Sequence, residues 1–252
     1  MTDWIIEEAF DRTGAEHMQR DEELARNLVA DATLPNTLRL YSWRPHAVSI
    51  GYQQSMDAVD LDACKAYGVD VVRRPTGGRA VLHSNELTYA VIMRCDGGIY
   101  RTHNMIVDAL LRSFEPLGAE LDLTSRSSDT NFRNTYASGT LTNAACFASS
   151  ARHEATHNGR KVIGSAQRRF GDVVLQHGSI LLTKDHLLLP ELLRLADEDR
   201  TRMRSLLERQ TASLSQACGR PISIEESASG LRERFIPEIC ELLACQPEKA
   251  LL

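Results

Sequence analysis

The sequence predicts an α+β protein with a largely antiparallel or mixed β-sheet flanked by α-helices and a helical C-terminal tail. Strand-like and helix-like segments follow one another without the regular rhythm that a doubly wound parallel sheet requires. The 252 residues, 42% of them hydrophobic, suffice for a sizeable core. Nothing before residue 185 resembles a linker. We therefore expect a single domain over residues 1–252, with 186–252 as a helical C-terminal extension.

The first half of the chain combines short strands with two helices. Arg44-Pro45 separates the first two strands, because proline cannot donate to a sheet ladder. Asp60 is the predicted N-cap of the second helix and Gly68 its predicted stop. The predicted elements are helices over Ala15–Ala30 and Asp60–Tyr67 and strands over Leu38–Trp43, Ala47–Gly51, Val69–Val72, Ala80–Leu82 and Leu87–Met93.

The next segments are a helix and a polar stretch. Four apolar residues at helical spacing predict a helix over Tyr100–Leu117, which ends at Gly118. Twelve of the twenty residues 124–143 are Ser, Thr or Asn. This composition predicts a long mobile loop, and we consider it as a lid over a ligand site.

A hairpin and a terminal helix complete the prediction. Asn158-Gly159 is a strong hairpin signal and predicts arms over Arg152–His157 and Arg160–Gly164. A further strand is predicted over Val173–Leu182. Ser223 with Glu226 forms a capping box ahead of a C-terminal helix whose apolar stripe is Leu231, Phe235, Ile239 and Leu242.

Composition and charge exclude several classes of protein. The formal net charge of −5 disfavours nucleic acid and anionic membranes as partners. The six cysteines form no CxxC pair, which is typical of reduced thiols in a cytosolic protein. The acidic N-terminus does not resemble a signal peptide, and no apolar stretch approaches the roughly 20 residues of a membrane helix. We expect a cytoplasmic protein that binds neither nucleic acid nor membrane.

The segment RRPTGGRAVLH, residues 73–83, is the first candidate for a ligand site. Gly77 and Gly78 permit positive φ and a close approach of the backbone to a ligand. Exposed N–H groups in such a turn can bind a carbonyl or a phosphate. The residue types are equally typical of a strand-to-strand turn that carries a solvated arginine pair.

Two later segments also carry polar residues among apolar ones. Lys161 lies in the second arm of the predicted hairpin, where it could polarise an acyl carbonyl, although its spacing is more typical of a surface lysine. His177 lies in a predicted strand beside Gly178, a glycine that indicates a bulge or a close backbone approach. His177 is a candidate acid–base group or simply a hydrogen-bonded sheet residue.

Cys146 is the candidate nucleophile. A thiol suits acyl transfer when a nearby cation lowers its pKa, although most lone cysteines are inert core residues. His153–His157 reads HEATH and matches the HExxH zinc motif. That motif requires a helix, whereas the following Asn158-Gly159 predicts a strand, in which the two histidines would stand about 13 Å apart. We therefore predict no metal site.

Five segments together resemble the lipoate–protein ligase/octanoyltransferase family. In order, they are LRLYSWRPHAVSIGYQQ, DLDACKAYGVDVVRRPTGGRAVLH, ELTYAVI, GRKVIGSAQRR and LQHGSILL. They cover about residues 10–185, and five motifs in the same order are far more specific than any one of them. The resemblance implies the biotinyl/lipoyl protein transferase fold.

The resemblance also implies roles for individual residues. Lys161 would contact the acyl carbonyl, and Cys146, in its Ala-Cys-Phe context, is similar to the acyl-carrying cysteine of the octanoyltransferase branch. The positions that would line or border the acyl pocket are Arg73, Arg74, Thr76, Gly77, Gly78, Arg79, His83, Gly164, Ser165, Ala166, Gln176, His177 and Gly178.

The function that the resemblance implies is transfer of an octanoyl or lipoyl group. The donor would be acyl carrier protein, and the acceptor a lysine of the lipoyl domain of a 2-oxoacid dehydrogenase or of the glycine-cleavage H protein. No cofactor would be required. The alternatives are a lipoate–protein ligase, which uses ATP and magnesium, and a non-catalytic relative that binds lipoyl domains.

Overall fold

A five-stranded mixed sheet forms the centre of the computed structural model, which describes residues 3–95, 98–124 and 153–244. The strand order is β1-β2-β6-β11-β10, with β1 and β2 parallel and the other neighbours antiparallel. The strands are β1 Trp4–Arg12, β2 Asn36–Trp43, β6 Glu86–Arg94, β10 Ile163–Phe170 and β11 Val173–Leu181. The prediction of a mixed sheet flanked by helices is confirmed.

Side-chain alternation along the central strands builds a core on each face of this sheet. In β6, Leu87, Tyr89 and Val91 point to one face, whereas Ala90 and Ile92 point to the other. The first face packs against α3 (Ile99–Phe114) and α6 (Ile224–Ala244), and the second packs against α1 (Gly14–Ala30). Each fully buried aliphatic or aromatic side chain contributes about 1.5–3 kcal/mol to this packing.

Two smaller sheets complete the fold and carry some of the candidate site residues. One has the order β4-β3-β5, and the other has the order β7-β8-β9. Their strands are β3 Ala47–Ile50, β4 Asp70–Arg73, β5 Val81–His83, β7 Asp122–Leu123, β8 Ala155–His157 and β9 Arg160–Lys161. The remaining helices are α2 Leu61–Ala66, α4 Asp197–Gln210 and α5 Leu214–Ala217, with 3-10 turns at Met56–Ala58, Glu115–Leu117 and Asp185–Leu192.

The helices of the C-terminal part pack onto the rest of the chain. Leu231, Phe235 and Ile239 of α6 are fully buried in the same cluster as β6 and α3. Met203 and Leu207 of α4 belong to a second cluster that they share with β3 and β5. This packing supports the prediction of one domain with a helical extension, which stays a prediction.

The predicted local signals are present at the expected places. The Asp60 side chain accepts the backbone N–H groups of Asp62 and Ala63 at the start of α2. Ser223 Oγ accepts the N–H of Glu226 at 3.0 Å ahead of α6. Asn158 and Gly159 have φ of 52° and 71°, as a two-residue hairpin turn requires.

Strand β1 is absent from the sequence prediction. Its exposed charged residues obscure the alternation, because β1 is an edge strand that pairs with β2 alone. The predicted polar loop over 124–143 lies outside the described residues except for Thr124. Its mobility and its use as a lid stay predictions.

Candidate active site

A cavity opens between α1 and the edges where β3, β5, β10 and β11 meet. The space within it amounts to about 380 Å³, which includes a part that is open to solvent. Seven predicted pocket residues line it: Arg74, His83, Gly164, Ser165, Ala166, His177 and Gly178. Seven others were not predicted: Met18, Tyr41, Trp43, Ser49, Val81, Thr88 and Ser179. Four of these additional residues are apolar or aromatic, so the cavity suits an aliphatic chain.

Arg74 holds the 74–79 loop from inside. Its guanidinium donates to the carbonyl oxygens of Gly77, Ser49 and Arg79 at 2.7–3.1 Å, and also to Ser49 Oγ at 3.1 Å. Arg74 is 4% exposed. For this residue the alternative of a solvated arginine pair is therefore wrong. Its charge serves mainly to satisfy loop carbonyls, which leaves the cavity wall rigid.

The neighbouring Arg73 has a different role. Arg73 is exposed, and its Nη1 donates to the carbonyl oxygens of Gly51, Tyr52 and Gln54 at 2.7–2.9 Å. Arg79 is buried, and its carbonyl accepts from Arg74. Neither residue lines the cavity.

Thr76 connects the loop to the core through His177. Thr76 Oγ1 lies 2.6 Å from His177 Nε2, and His177 Nδ1 lies 2.9 Å from Asp21 Oδ2. Burial lowers the pKa of His177, so the ring is neutral at neutral pH and accepts the Thr76 hydroxyl proton while its Nδ1–H donates to Asp21. Thr76 is fully buried and stands behind the cavity surface.

Asp21 is the charged end of this chain of hydrogen bonds. It is fully buried on α1 and pairs with Arg39, and Tyr41 donates to its Oδ2 at 3.0 Å. Burial would raise the pKa of Asp21, but its hydrogen bonds to His177 and Arg39 lower it overall. The carboxylate therefore stays charged and fixes His177 in one tautomer.

His83 lies in a second polar cluster at the cavity. Its Nε2 is 2.7 Å from Ser49 Oγ and its Nδ1 is 2.7 Å from Glu86 Oε1. Its ring stacks on Trp43 with centroids 3.9 Å apart. Ser49 also accepts from Arg74, so this cluster and the 74–79 loop are one continuous network.

Two of the predicted glycines, Gly78 and Gly178, take positions that disfavour a larger residue. A Cβ at Gly178 would lie 2.4 Å from the carbonyl oxygen of Gly164, which confirms the predicted close backbone approach. Gly78 has a φ of 98°, and a Cβ at Gly77 would meet open space. The predicted positive φ is thus confirmed at Gly78. Gly77 is exposed, and neither Gly77 nor Gly78 lines the cavity.

Gln176 supports the floor of the cavity without lining it. Its Nε2 donates to Tyr89 Oη at 2.8 Å, and that hydroxyl lies 2.7 Å from Ser165 Oγ. Burial raises the pKa of Tyr89 to about 12, so the phenol keeps its proton. Ser165 and Ala166 are therefore held in place from beneath.

Lys161 lies in the second arm of the hairpin, as predicted, at the end of β9, and it is buried. It is 5% exposed, so the alternative of a surface lysine is wrong. Its Nζ donates to Glu154 Oε1 at 2.5 Å, and its carbonyl accepts the N–H of Ala212 at 2.9 Å. Lys161 stands three residues before Gly164, about 10 Å along the chain from the cavity wall.

The structure describes the HExxH motif but not the predicted nucleophile. Cys146 lies outside the described residues. Ala155–His157 forms strand β8, so the helix that HExxH requires is absent from that segment. Within residues 3–95, 98–124 and 153–244, no group of three His, Cys, Asp or Glu side chains could hold a metal ion.

In the same ranges, no helix combines the length and apolar character needed to cross a bilayer.

A mixed sheet flanked by helices, with a partly apolar cavity beside a glycine-containing loop, describes a protein that binds a small molecule. Comparison with known families identifies the family. The sequence matches the lipoyl protein ligase A/B catalytic domain over residues 13–236. The chain therefore belongs to this family, and the resemblance found in the motifs is confirmed. The match continues beyond residue 185, where the five motifs end.

Three individual proteins are similar to this chain. The octanoyltransferase LipM of Symbiobacterium thermophilum is 41% identical over 239 residues, which cover 93% of this chain and 85% of the relative. The octanoyltransferase LipM of Clostridioides difficile is 35% identical and covers 100% of this chain and 94% of the relative. A bipartite lipoate protein ligase from Thermoplasma acidophilum superposes with a TM-score of 0.73 at 20% identity, covering 97% of this chain and 85% of that one. This structural likeness shows the fold.

Proposed function

We propose that this protein transfers an octanoyl group from acyl carrier protein to a specific lysine of a lipoyl domain or of the glycine-cleavage H protein. The observation that carries this proposal is the 41% identity, over 93% of the chain, to a relative named octanoyltransferase. The apolar part of the cavity, formed by Met18, Trp43 and Val81 among others, supports an aliphatic acyl group as substrate.

The proposed reaction has two balanced steps. The Cys146 thiolate attacks the thioester carbonyl, the carrier thiol leaves with the proton that Cys146 gave up, and an acyl-cysteine forms. The amine of the acceptor lysine then attacks the acyl-cysteine, an amide bond forms, and the amine's proton returns to the Cys146 sulfur. A thioester converted to an amide releases free energy, so we propose that neither ATP nor a metal is consumed.

Lys161 and the 74–79 loop would stabilise the charge that develops on the acyl oxygen. Lys161 is buried. As an ammonium ion it would be a preorganised positive charge, which is worth more in a water-poor site than in solution. The open backbone at Gly77 supports N–H donors as a second group. We also propose a cytoplasmic location, since the described cysteines carry free thiols.

Intact mass spectrometry tests this function directly. The protein is mixed with octanoyl-loaded acyl carrier protein, without ATP, and we expect a mass increase of one octanoyl group. The adduct should be absent from Cys146→Ala and should disappear when a lipoyl domain is added. Cys64→Ala is the matched control, because burial raises the pKa of that thiol and makes it a poor nucleophile.

The alternatives give different results in the same assay. A ligase would form no adduct with the carrier protein but would modify a lipoyl domain when lipoate, ATP and magnesium are supplied. That outcome would overturn the proposed transfer. A non-catalytic relative would bind lipoyl domains and modify none of them under either condition.

A further inference from the structure

One motif near Lys161 is not used by the proposed transfer chemistry. The HEATH segment forms a bend followed by β8 and not a zinc-binding helix. Its acidic residue, Glu154, points to Lys161 and accepts from Nζ at 2.5 Å. The two side chains are 9% and 6% exposed, so this ion pair is almost excluded from water.

The backbone holds Glu154 at this distance from Lys161. The carbonyl of Glu154 accepts from both the N–H and the hydroxyl of Thr124, at 3.0 and 3.1 Å. The next residue, Ala155, accepts the N–H of Val162 across the hairpin at 3.0 Å. Thr124, the residue after β7, thus holds the Glu154 backbone from one side. The hairpin arm that carries Lys161 holds it from the other side.

The two histidines of the motif fix the ends of the same segment. His153 Nε2 lies 2.9 Å from Asp108 Oδ1 on α3, and His153 itself has a φ of 62°. His157 Nδ1 lies 2.8 Å from the carbonyl oxygen of Glu120. A non-glycine residue in the left-handed region is a strained conformation that often occurs at functional sites.

The charge of Glu154 is directed to Lys161. Its second oxygen, Oε2, is buried and has no hydrogen-bond partner among the described residues. Two histidines near the pair are neutral at neutral pH, because burial lowers the pKa of His103 and lowers that of His186 to about 4. His153 is paired with Asp108. A buried carboxylate that is only half satisfied destabilises a fold, so a functional reason for it is expected.

We propose that Glu154 is a positioning residue that keeps Lys161 as an ammonium ion, so that Lys161 acts on the acyl oxygen through its charge and not as a base. A lysine buried without an anion tends to lose its proton, and a neutral amine stabilises an oxyanion poorly. The role in transfer rests on the proposed function, whereas the charge of Lys161 is independent of it.

Two measurements test the proposal. Isotope-edited NMR of the lysine Nζ distinguishes an ammonium from an amine, and the signal of Lys161 is assigned by its absence in Lys161→Met. At neutral pH we expect an ammonium in the wild type and in Glu154→Asp, and a neutral amine in Glu154→Gln. We also expect kcat for octanoyl transfer to fall about tenfold in Glu154→Gln with little change in KM. Glu154→Asp should recover most of kcat, and the exposed Glu120→Gln should match the wild type.

Several outcomes would overturn the inference. A charged Lys161 in Glu154→Gln would show that Glu154 does not set the charge, and an unchanged kcat would show that it does not serve the reaction. If Glu154→Gln does not fold, a neutral Lys161 amine in the wild type still contradicts the proposal. A wild type that forms the ammonium but transfers no octanoyl group contradicts the proposed function and leaves the charge assignment standing.

Discussion

The 74–79 loop and the hairpin over 155–161 are held by opposite means. The loop is fixed by side chains, since Arg74 satisfies carbonyls within it and Thr76 reaches the buried Asp21 through His177. The hairpin is fixed by backbone pairing and contributes one buried ion pair, Lys161 with Glu154. The polar network around Arg74 and Thr76 gives a rigid wall, whereas the Lys161–Glu154 ion pair places a charge in the hairpin that can respond to a substrate.

The largest expected difference in stability is between variants of Arg74, in the loop, and of the adjacent Arg73. Arg74→Ala leaves several buried carbonyl oxygens without a donor and should lower the free energy of unfolding by about 4 kcal/mol. Arg73→Ala should cost about 1 kcal/mol, because Arg73 is exposed and donates through a single nitrogen. Urea denaturation of both variants measures the difference. Equal losses would contradict the assignment of Arg74 as the internal support.

The loop was largely predictable from its own residues, and the hairpin pair was not. Positive φ and close backbone approach follow from glycine chemistry, so the sequence predicts the first at Gly78 in the loop and the second at Gly178 in β11. The bond between His177 and Asp21 joins residues 156 positions apart, and no local pattern indicates it. Glu154 and Lys161 meet only because of the hairpin register. The HExxH match was rejected as a metal site, but nothing in the sequence assigned Glu154 another role.

Local sequence patterns also predict only part of the fold as a whole. Helix α3 and strand β6 were predicted because burial of one or both faces gives them clear apolar patterns. Strand β1 was missed because it is an edge strand whose exposed charged residues obscure the apolar alternation. The additional cavity residues Met18 and Trp43 lie on elements that were predicted, but their shared cavity depends on how α1 crosses the sheet.

Acid should destabilise the part of the fold around the hairpin, because His186 becomes protonated. His186 lies 2.7 Å from Thr211 Oγ1, next to the segment that braces the Lys161 carbonyl, and burial lowers its pKa to about 4. Between this pKa and the ordinary value of 6.5 the unfolded chain binds more protons, so stability rises with pH across that window. We expect a loss of about 2 kcal/mol from this residue between pH 7 and pH 5.

Denaturant unfolding of His186→Gln at the two pH values tests this effect. The variant should lose about 2 kcal/mol less on acidification than the wild type does. A residual pH dependence is expected from His17, whose pKa burial also lowers to about 4. An identical loss in the variant and the wild type would show that His186 is not the acid-sensitive group on this side.

The smallest expected effect on stability gives the sharpest distinction in function. Gly159 turns the β8–β9 hairpin with a φ of 71°, and Gly171 turns β10 into β11 with a φ of 59°. A Cβ at Gly159 would meet open space, and one at Gly171 would meet only Val29 at 3.9 Å. Each Gly→Ala substitution should therefore cost about 1–2 kcal/mol of backbone strain and nothing from steric overlap.

The two variants should nevertheless differ in activity. Gly159→Ala distorts the turn that sets Lys161 opposite Thr156, so octanoyl transfer should fall while Gly171→Ala, whose turn lies at the far end of β10 from Gly164, transfers normally. Thermal unfolding and transfer rates are measured on the same samples. If both variants lose activity in proportion to stability, the hairpin merely supports the fold. A selective loss in Gly159→Ala would show that the register of this turn, and with it the Lys161–Glu154 pair, is what the reaction requires.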